Sequence, residues 1–339
     1  MKAVGLHRHL PIDDPESLVD LEVPKPAPSG REVLVEIKAI SVNPVDYKIR
    51  ARRDPNSQFP RILGWDASGI VREVGPGVQL FKPGDEVYYA GSIQKPGANS
   101  EYHVVDERIV GHKPRSLSFA AAAALPLTSL TAWEGLFDRL DISRSGADRA
   151  KTVLLIGAAG GVGSIAIQLA KKLAGLRVVA TASRPESSKW VQELGADAVI
   201  DHTGDLAAQM KATGVAEADY IFCLTDATPY FPRFAPIIRP QGKLCLIVSM
   251  TGAVELTSLM QKSASLHWEF MFTRSLFETT DIQRQHEILE EVGKLIDDGT
   301  LRTTLAESLG VINAENLRRA HLMLERGRTI GKLVLEGFR

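Results

Sequence analysis

A glycine-rich segment near the middle of the chain constrains the fold more than any other feature. Residues 157–163, GAAGGVG, follow the apolar run TVLLI and precede the run SIAIQLAKKL, which has a helical composition. A strand, a tight glycine turn and a helix in this order are the start of a βαβ unit. Glycine lets the backbone of such a turn approach a ligand, and the N-terminus of the following helix directs N–H groups at it. The segment predicts a parallel sheet with an anion-binding turn at this junction.

Strand and helix patterns alternate from this turn to about residue 250. The later strand segments are RVVATAS, AVID, ADYIFCL and KLCLIVS, and SKWVQELG is a helical segment among them. The strand segments are apolar without alternation, which is typical of strands covered by helices on both faces. The pattern predicts an α/β fold with a doubly wound parallel sheet of the Rossmann type.

The chain before about residue 120 has a different pattern. Short runs of strand composition are separated by glycine and proline at 32–41 (EVLVEIKAIS), 69–75 (GIVREVG) and 85–90 (DEVYYA). Frequent turns between such runs are typical of an antiparallel β domain. The sequence therefore predicts a β-rich domain ahead of the parallel sheet.

The C-terminal residues return to mixed helix and strand patterns. A capping box at residues 280–283 predicts a helix start, and Asn313 predicts the N-cap of a second helix before the final strand GKLVLEG. This C-terminal part is short for a domain of its own, so we expect it to pack on the first domain.

The glycine turn also matches the fingerprint of dinucleotide-binding folds. Ala158, Gly160 and Gly163 occupy its three small-residue positions, with alanine in the first. Glycine clusters often only mark turns, but here the flanking strand and helix agree with a binding role. The candidate pyrophosphate-binding residues are Ala159, Gly160, Gly161, Val162 and Gly163.

The segment after the next strand favours NADP(H) over NAD(H). An NAD site has an acidic residue about 20 residues beyond the turn to bind the ribose 2′-hydroxyl. The stretch here holds Ser183, Arg184 and Lys189 instead, a hydroxyl and two cations suited to a 2′-phosphate. The alternative is that both cations are solvated surface charges. His202, after the third strand, is a further candidate or a surface histidine.

Several short motifs, in this order and spacing, give the chain a family resemblance. They are the lead-in P-x-P-x-P, SVNPVD at 41–46, GWDASG at 64–69, KPGDEV at 82–87, AAGGVG at 158–163, LGAD at 194–197 and GKLVL at 331–335. Together they resemble the medium-chain dehydrogenase/reductase superfamily, specifically its zinc-independent, quinone oxidoreductase-like branch. The resemblance extends over essentially the whole chain.

The resemblance implies a domain order that the residue patterns alone do not give. It implies a GroES-like, β-rich catalytic domain over 1–125, an inserted Rossmann domain that binds NADP over 126–265, and a return to the catalytic domain over 266–339. The active site is expected in the cleft between the two domains. A homodimer is also implied.

The resemblance further assigns candidate site residues. Asn43 and Thr131 match positions that place a side chain beside the nicotinamide, and Lys332 lies in the tail motif as a cofactor-binding candidate. Tyr47 is either a hydrogen-bond or proton donor to the acceptor, or a packed aromatic. Trp65 is expected to line the acceptor pocket.

The metal ligands of the zinc-binding members are missing from the sequence. Those members bind catalytic zinc with a cysteine, a histidine, and a cysteine or aspartate, and the corresponding residues here are Asn43, Trp65 and Leu127. None of the three is a good zinc ligand. The four closely spaced cysteines of a structural zinc lobe are impossible with two cysteines, Cys223 and Cys245, which we expect to be buried thiols. The prediction is no metal site.

The missing metal indicates which substrates can react. Zinc stabilises a developing alkoxide by several kcal/mol, so reduction of a simple ketone is difficult without it. A quinone or an α,β-unsaturated carbonyl is already electrophilic. The sequence therefore predicts an NADPH-dependent reductase of a quinone or another activated carbonyl. The alternatives are an alkenal or enone double-bond reductase, a zinc-type alcohol dehydrogenase, or an NADPH-binding sensor or structural protein.

The charge balance excludes other partner classes. The 339 residues contain 40 Lys plus Arg and 41 Asp plus Glu, a formal net charge of −1. Binding to nucleic acid or to anionic membranes usually needs a basic excess, so neither is expected. The N-terminal residues carry charges where a signal peptide would be apolar, which predicts a cytoplasmic protein.

One segment after the Rossmann pattern stays ambiguous. Residues 263–281, SASLHWEFMFTRSLFETTD, are rich in aromatic residues and methionine. Such a run is more often core or dimer contact than a substrate-binding wall.

Overall fold

The computed structural model describes residues 1–52 and 58–338. In chain order the strands are β1 (Lys2–Leu6), β2 (Val19–Glu22), β3 (Glu32–Ser41), β4 (Arg61–Ile62), β5 (Ala67–Val74), β6 (Glu86–Tyr89), β7 (Tyr102–Asp106), β8 (Val110–His112), β9 (Thr152–Ile156), β10 (Arg177–Thr181), β11 (Ala198–Ile200), β12 (Ala218–Cys223), β13 (Ile238–Leu246), β14 (Ser265–Trp268), β15 (Leu305–Ser308) and β16 (Lys332–Glu336). The α-helices are α1 (Pro44–Ala51), α2 (Phe119–Ala123), α3 (Pro126–Trp133), α4 (Gly161–Lys172), α5 (Pro185–Glu193), α6 (Leu206–Ala212), α7 (Phe231–Ile237), α8 (Thr273–Phe277), α9 (Arg284–Asp297) and α10 (Ala314–Glu325).

The chain forms two compact units. The first comprises Met1–Leu130 and Phe272–Arg339, and the second comprises Thr131–Met271. The domain boundaries expected from the family resemblance, after residues 125 and 265, lie a few residues before these divisions.

The first unit is built on β3. A seven-stranded sheet has the order β15-β16-β3-β5-β6-β8, with β7 also paired to β3, and a three-stranded sheet has the order β2-β1-β4. The pairs of β3 with β5, β7 and β16 are all antiparallel. The antiparallel β pattern predicted before residue 120 is confirmed, and β3 has the predicted bounds of 32–41. Strand β16, more than 290 residues after β3, pairs with it, so the C-terminal part of the chain completes this sheet.

The second unit is a parallel six-stranded sheet with helices. Its order, β11-β10-β9-β12-β13-β14, places its third, second, first, fourth, fifth and sixth strands side by side, which is the Rossmann order. Strands β9 and β12 are central and almost wholly buried, which explains their continuous apolar sequences. The predicted doubly wound α/β fold is confirmed.

Of the two predicted helix starts in the C-terminal part, the structure confirms that of α10 but not that of α9. Helix α10 begins after the predicted cap, because the Asn313 side chain accepts from the Asn316 N–H at 2.8 Å. The predicted capping box at residues 280–283 is wrong, since α9 begins only at Arg284. Asp281 instead pairs with Arg274, with 2.9 Å between Arg274 Nε and the carboxylate, and its backbone O accepts from the Arg284 N–H. Residues 280–283 are therefore held in a turn.

No helix within the described ranges is both long enough and apolar enough to cross a lipid bilayer.

Candidate active site

The glycine turn of the second unit connects β9 to α4. Gly157 has φ of +79°, a left-handed conformation that favours glycine, and its N–H donates to Thr181 Oγ1 of β10 at 2.9 Å. A Cβ at Gly163 would lie 2.2 Å from Ala158 O, so only glycine allows α4 to pack this close to the backbone of the turn. The turn is thus held by a hydrogen bond to the neighbouring strand β10 and by its close contact with α4.

The start of α4 is suited to an anion. Its N-cap is Gly160, which has no side-chain oxygen to cap the first N–H groups. A Cβ at Gly160 would meet only Gly157 O, at 3.7 Å, so the space beside this residue is open. Uncapped N–H groups at a helix N-terminus bind phosphates. The residues present therefore fit a dinucleotide pyrophosphate.

Two of the three candidates for the 2′-phosphate lie at the end of β10. Ser183 is exposed and Arg184 is the N-cap residue of α5. Because β9 and β10 are parallel neighbours, these residues and the glycine turn share the carboxyl edge of the sheet. Lys189 lies further along α5, is 79% exposed, and has its ammonium 3.9 Å from a Glu193 oxygen. The structure therefore separates Lys189 from the other two by more than a helical turn.

His202 follows β11 at the same edge. Its ring is half-buried and packs edge-on against Tyr230, with 6.2 Å between the ring centroids. Its Nδ1 atom is buried and has no hydrogen-bond partner within the described part of the chain. The histidine thus follows a strand at the edge where the cofactor is predicted, and its ring also packs against Tyr230.

An aspartate that the sequence reasoning missed links the loops after β12 and β13. Asp226 Oδ1 accepts from the Thr228 N–H at 2.9 Å and from Thr228 Oγ1 at 2.7 Å, and Oδ2 accepts from Thr251 Oγ1 at 2.5 Å. These hydrogen bonds, led by that of Thr251, lower the pKa of Asp226 to about 2. The available signal was an Asp-x-Thr triplet after an apolar strand, which is also a common turn motif.

In the first unit, a buried polar network joins three distant parts of the chain. The Lys332 ammonium donates to Asn43 Oδ1 at 2.5 Å, to Asp66 Oδ2 at 2.9 Å and to Val42 O at 2.9 Å. Asn43 Nδ2 donates to Asp66 Oδ2 at 2.8 Å and to Trp65 O at 3.3 Å. Lys332 is 3% exposed and Asn43 1%. These partners fix the Asn43 amide, because Oδ1 must face the lysine and Nδ2 the carboxylate.

A second carboxyl group lies beside this network. Asp46, in the first turn of α1, is buried, and the backbone N–H groups of Asn43 and Gly64 donate to its carboxyl. Burial raises the pKa of Asp46 to about 7, against the effect of these hydrogen bonds and of Lys332. Its Oδ1 has no hydrogen-bond partner among the residues that the structure describes. The cluster thus holds two carboxyl groups, those of Asp46 and Asp66, near one ammonium, that of Lys332.

The other predicted residues have mixed environments. Trp65 is buried, and its indole N–H donates to Ser92 O at 3.1 Å. Tyr47 is half-buried, and burial together with the nearby Glu325 carboxylate raises the pKa of its phenol. Thr131, the first residue of the second unit, is buried. The site assignments for these residues stay predictions.

The structure brings together the three positions that correspond to zinc ligands in other members. Asn43 Nδ2 contacts Trp65 O, and Asp66 joins them to Leu127, whose N–H donates to Asp66 Oδ1 at 2.7 Å. An amide already used by lysine and aspartate, an indole and an isobutyl side chain do not fit zinc. Nor do the described residues contain any group of three or more His, Cys, Asp or Glu side chains that could hold a metal ion.

A Rossmann sheet with a glycine turn after its first strand, in one chain with a GroES-like β unit, is typical of a class of dehydrogenases and reductases. Two family models match: alcohol dehydrogenase GroES-like domain over residues 29–115 and zinc-binding dehydrogenase over residues 194–335. A zinc-type alcohol dehydrogenase-like protein of Staphylococcus aureus is 41% identical over 336 residues, which cover 99% of each chain. The chain belongs to the medium-chain dehydrogenase/reductase superfamily, a superfamily of oxidoreductases.

Solved structures agree with this assignment. A Rhizobium etli protein described as a zinc-dependent alcohol dehydrogenase has a TM-score of 0.95 and 51% identity, with 100% of this chain and 98% of that chain covered. The quinone oxidoreductase of Escherichia coli, complexed with NADPH, has a TM-score of 0.82 and 28% identity, with 99% and 100% covered. Relatives named for zinc and relatives named for quinones thus share this fold.

Proposed function

We propose that this protein is an NADPH-dependent reductase that transfers hydride to a quinone or another activated carbonyl without a metal ion. The observation that carries the proposal is the Asn43–Asp66–Lys332 network. It joins all three metal-equivalent positions, yet it leaves no thiolate, imidazole or free carboxylate at any of them. Without a Lewis acid, the acceptor must itself be electrophilic.

The cofactor assignment rests on the carboxyl edge of the parallel sheet. Residues 160–163 would hold the pyrophosphate through backbone N–H groups, and Ser183 with Arg184 would hold the 2′-phosphate. NADPH, when bound, supplies the hydride. The NADPH complex of the Escherichia coli quinone oxidoreductase, which has the same fold, supports this assignment.

In this proposal, two residues of the first unit, Asn43 and Tyr47, hydrogen-bond to the cofactor and to the acceptor. Both N–H groups of the Asn43 amide are used by Asp66 and Trp65, so this side chain can offer only its Oδ1 as a further acceptor. A nicotinamide carboxamide N–H is a suitable donor for that atom. The Tyr47 phenol is protonated at neutral pH, and its raised pKa shifts ionisation further above neutral pH, so its Oη can donate to the oxygen of an acceptor.

We also propose a homodimer that forms through the edge strand β14. This strand pairs only with β13 in the described sheet, and Trp268 at its end is 49% exposed. Its sequence, SLHW, has none of the lysine or proline residues that usually protect an edge. A second copy related by a two-fold axis would pair the same edge antiparallel and cover both tryptophans.

The activity is tested with purified protein, NADPH, and a panel of quinones, enals and simple ketones. We expect NADPH oxidation with quinones or enals that is unaffected by a metal chelator, in protein whose zinc content by mass spectrometry is far below one atom per chain. Oxidation with simple ketones alone, abolished by chelation, would show a zinc-type alcohol dehydrogenase. Tight NADPH binding without turnover of any acceptor would favour a sensor.

A further inference from the structure

The loops after β12 and β13 carry one fixed negative charge. Residues 224–230 (LTDATPY) and 247–254 (IVSMTGAV) contain no acidic residue besides Asp226, and no lysine or arginine. The side-chain and backbone donors on Asp226 come from Thr228 and Thr251, which are neutral. The hydrogen bonds hold the carboxylate in place but leave its charge without a counter-ion in either loop.

The sheet order places this charge in the second nucleotide-binding half. In a Rossmann fold the dinucleotide lies across the point where the strand order reverses, and each half of the sheet takes one nucleotide. The glycine turn follows β9 at that point, and the 2′-phosphate candidates follow β10 in the first half. Strands β12 and β13 belong to the other half, which is left for the nicotinamide nucleotide.

The Asp226 loop also contacts the glycine turn directly. The Leu224 N–H donates to Ile156 O, the last residue of β9, at 3.0 Å. A Cβ built at Gly157 would lie 3.7 Å from Thr225 Cβ. The residue before Asp226 therefore packs against the turn that is predicted to bind the pyrophosphate.

We propose that Asp226 is an electrostatic group that stabilises the positive charge of the oxidised nicotinamide and so favours hydride donation. The inference rests on the proposed function. Hydride donation breaks a C–H bond of the reduced ring, and both electrons leave with the hydrogen to form a new bond on the acceptor. The ring changes from neutral to a cation, while the acceptor gains a negative charge that a proton from water neutralises. A fixed carboxylate on the nicotinamide side therefore favours the product state and the charge that develops on the way to it.

The chain offers a matched control in the first half of the sheet. Asp201 follows β11 and accepts from the Thr203 N–H and Oγ1, both at 2.8 Å, in the same Asp-x-Thr motif. The variants Asp226→Asn and Asp201→Asn remove the same charge from the same motif in the two halves. Thr251→Val removes one hydrogen bond to Asp226 but keeps its charge.

The experiment measures the dissociation constants of NADP⁺ and NADPH for the wild type and each variant by calorimetry. We expect D226N to weaken NADP⁺ relative to NADPH by about three- to tenfold. D201N and T251V should leave the ratio of the two constants within about twofold of the wild type. An unchanged ratio in D226N, or an equal change in D201N or T251V, would overturn the inference.

Two further observations keep the test decisive. If D226N fails to fold, the wild type is titrated at increasing KCl, where screening of Asp226 should weaken NADP⁺ relative to NADPH, as D226N is expected to do; a ratio of the two constants that is independent of salt overturns the inference. A wild type that binds neither NADP⁺ nor NADPH would overturn the proposed function and the inference with it. A wild type that binds both, with a ratio insensitive to D226N and to salt, would overturn the inference alone.

Discussion

Arg184 stands at the N-cap of α5, at the end of the strand where the 2′-phosphate is expected. We predict that Arg184→Ala raises the Michaelis constant for NADPH about tenfold and leaves that for NADH nearly unchanged, because only NADPH carries the phosphate that the guanidinium would bind. Steady-state kinetics with both cofactors checks this. Lys211→Ala is the control, since Lys211 is an exposed cation in the last turn of α6. Equal effects on both cofactors would refute the 2′-phosphate assignment.

Asp46 gives the protein a specific pH dependence of stability. Its pKa is about 7 when folded and about 3.9 in the unfolded chain, so the folded state binds the proton more tightly. The resulting stabilisation is complete below about pH 4 and is lost as the pH rises to about 7. Asp46→Asn cannot lose a proton, so at pH 8 we expect it to be more stable than the wild type by about 1–3 kcal/mol.

Urea denaturation of both proteins at pH 5 and pH 8 measures this difference. The advantage of Asp46→Asn should be smaller at pH 5, where Asp46 is protonated in the wild type. Asp13→Asn, at an exposed position, serves as the control. A constant difference between D46N and wild type at the two pH values would show that Asp46 does not titrate in this range.

The contacts of single residues were the least predictable part of the site. Asn43 and Trp65 were identified as site candidates from short motifs, but their partners were not. Lys332 is 266 residues away from Asp66, so no local pattern could show that they form an ion pair. The resemblance assigned Lys332 to the cofactor, which stays a prediction, and the structure adds that its ammonium donates to three buried oxygens.

At the scale of elements, Gly160 and Gly163, both at the start of α4, differ in the space around them. A Cβ at Gly163 would collide with the Ala158 backbone, whereas a Cβ at Gly160 meets one atom at 3.7 Å. We predict that Gly163→Ala lowers the free energy of unfolding by about 1–3 kcal/mol through overpacking. Gly160→Ala should keep its stability but weaken NADPH binding, since its methyl group would stand where the pyrophosphate approaches.

Thermal denaturation and NADPH titration of both variants separate the two effects. A stable Gly163→Ala would contradict the close packing of α4 on the turn backbone at Ala158. Undiminished NADPH binding by Gly160→Ala would contradict the position of the pyrophosphate.

Elements with strong local signals were predicted well from the sequence. Strand β3 has its predicted bounds because its β-branched residues fit a buried pleated surface, and α10 begins after the predicted Asn313 cap. The predicted start of α9 was wrong because residues 280–283 form a turn, in which Asp281 pairs with Arg274 and its backbone O accepts from the Arg284 N–H. Cys223 and Cys245 are buried free thiols, as predicted.

At the scale of the whole molecule, Trp268 tests the proposed dimer. We predict that Trp268→Lys converts a dimer into a monomer, because a charge at the end of β14 would be buried unpaired in the interface. Sedimentation velocity measures the mass of each species. Phe277→Lys, at an aromatic side chain that is 71% exposed in the other unit, is the control. Loss of the dimer in the control but not in Trp268→Lys would place the interface elsewhere.

Because β16 pairs with β3, the sheet of the first unit cannot form completely until residues 332–336 have been synthesised. The second unit, Thr131–Met271, is synthesised before strand β16, which pairs with β3 in the first unit. Until residues 332–336 emerge, the nascent first unit has an open strand edge, and Asp66 lacks the ammonium of Lys332. Loss of residues 332–336 would therefore remove the partner of β3 and the counter-ion of Asp66, so a truncation before β16 damages a sheet that is formed mostly by the first part of the chain.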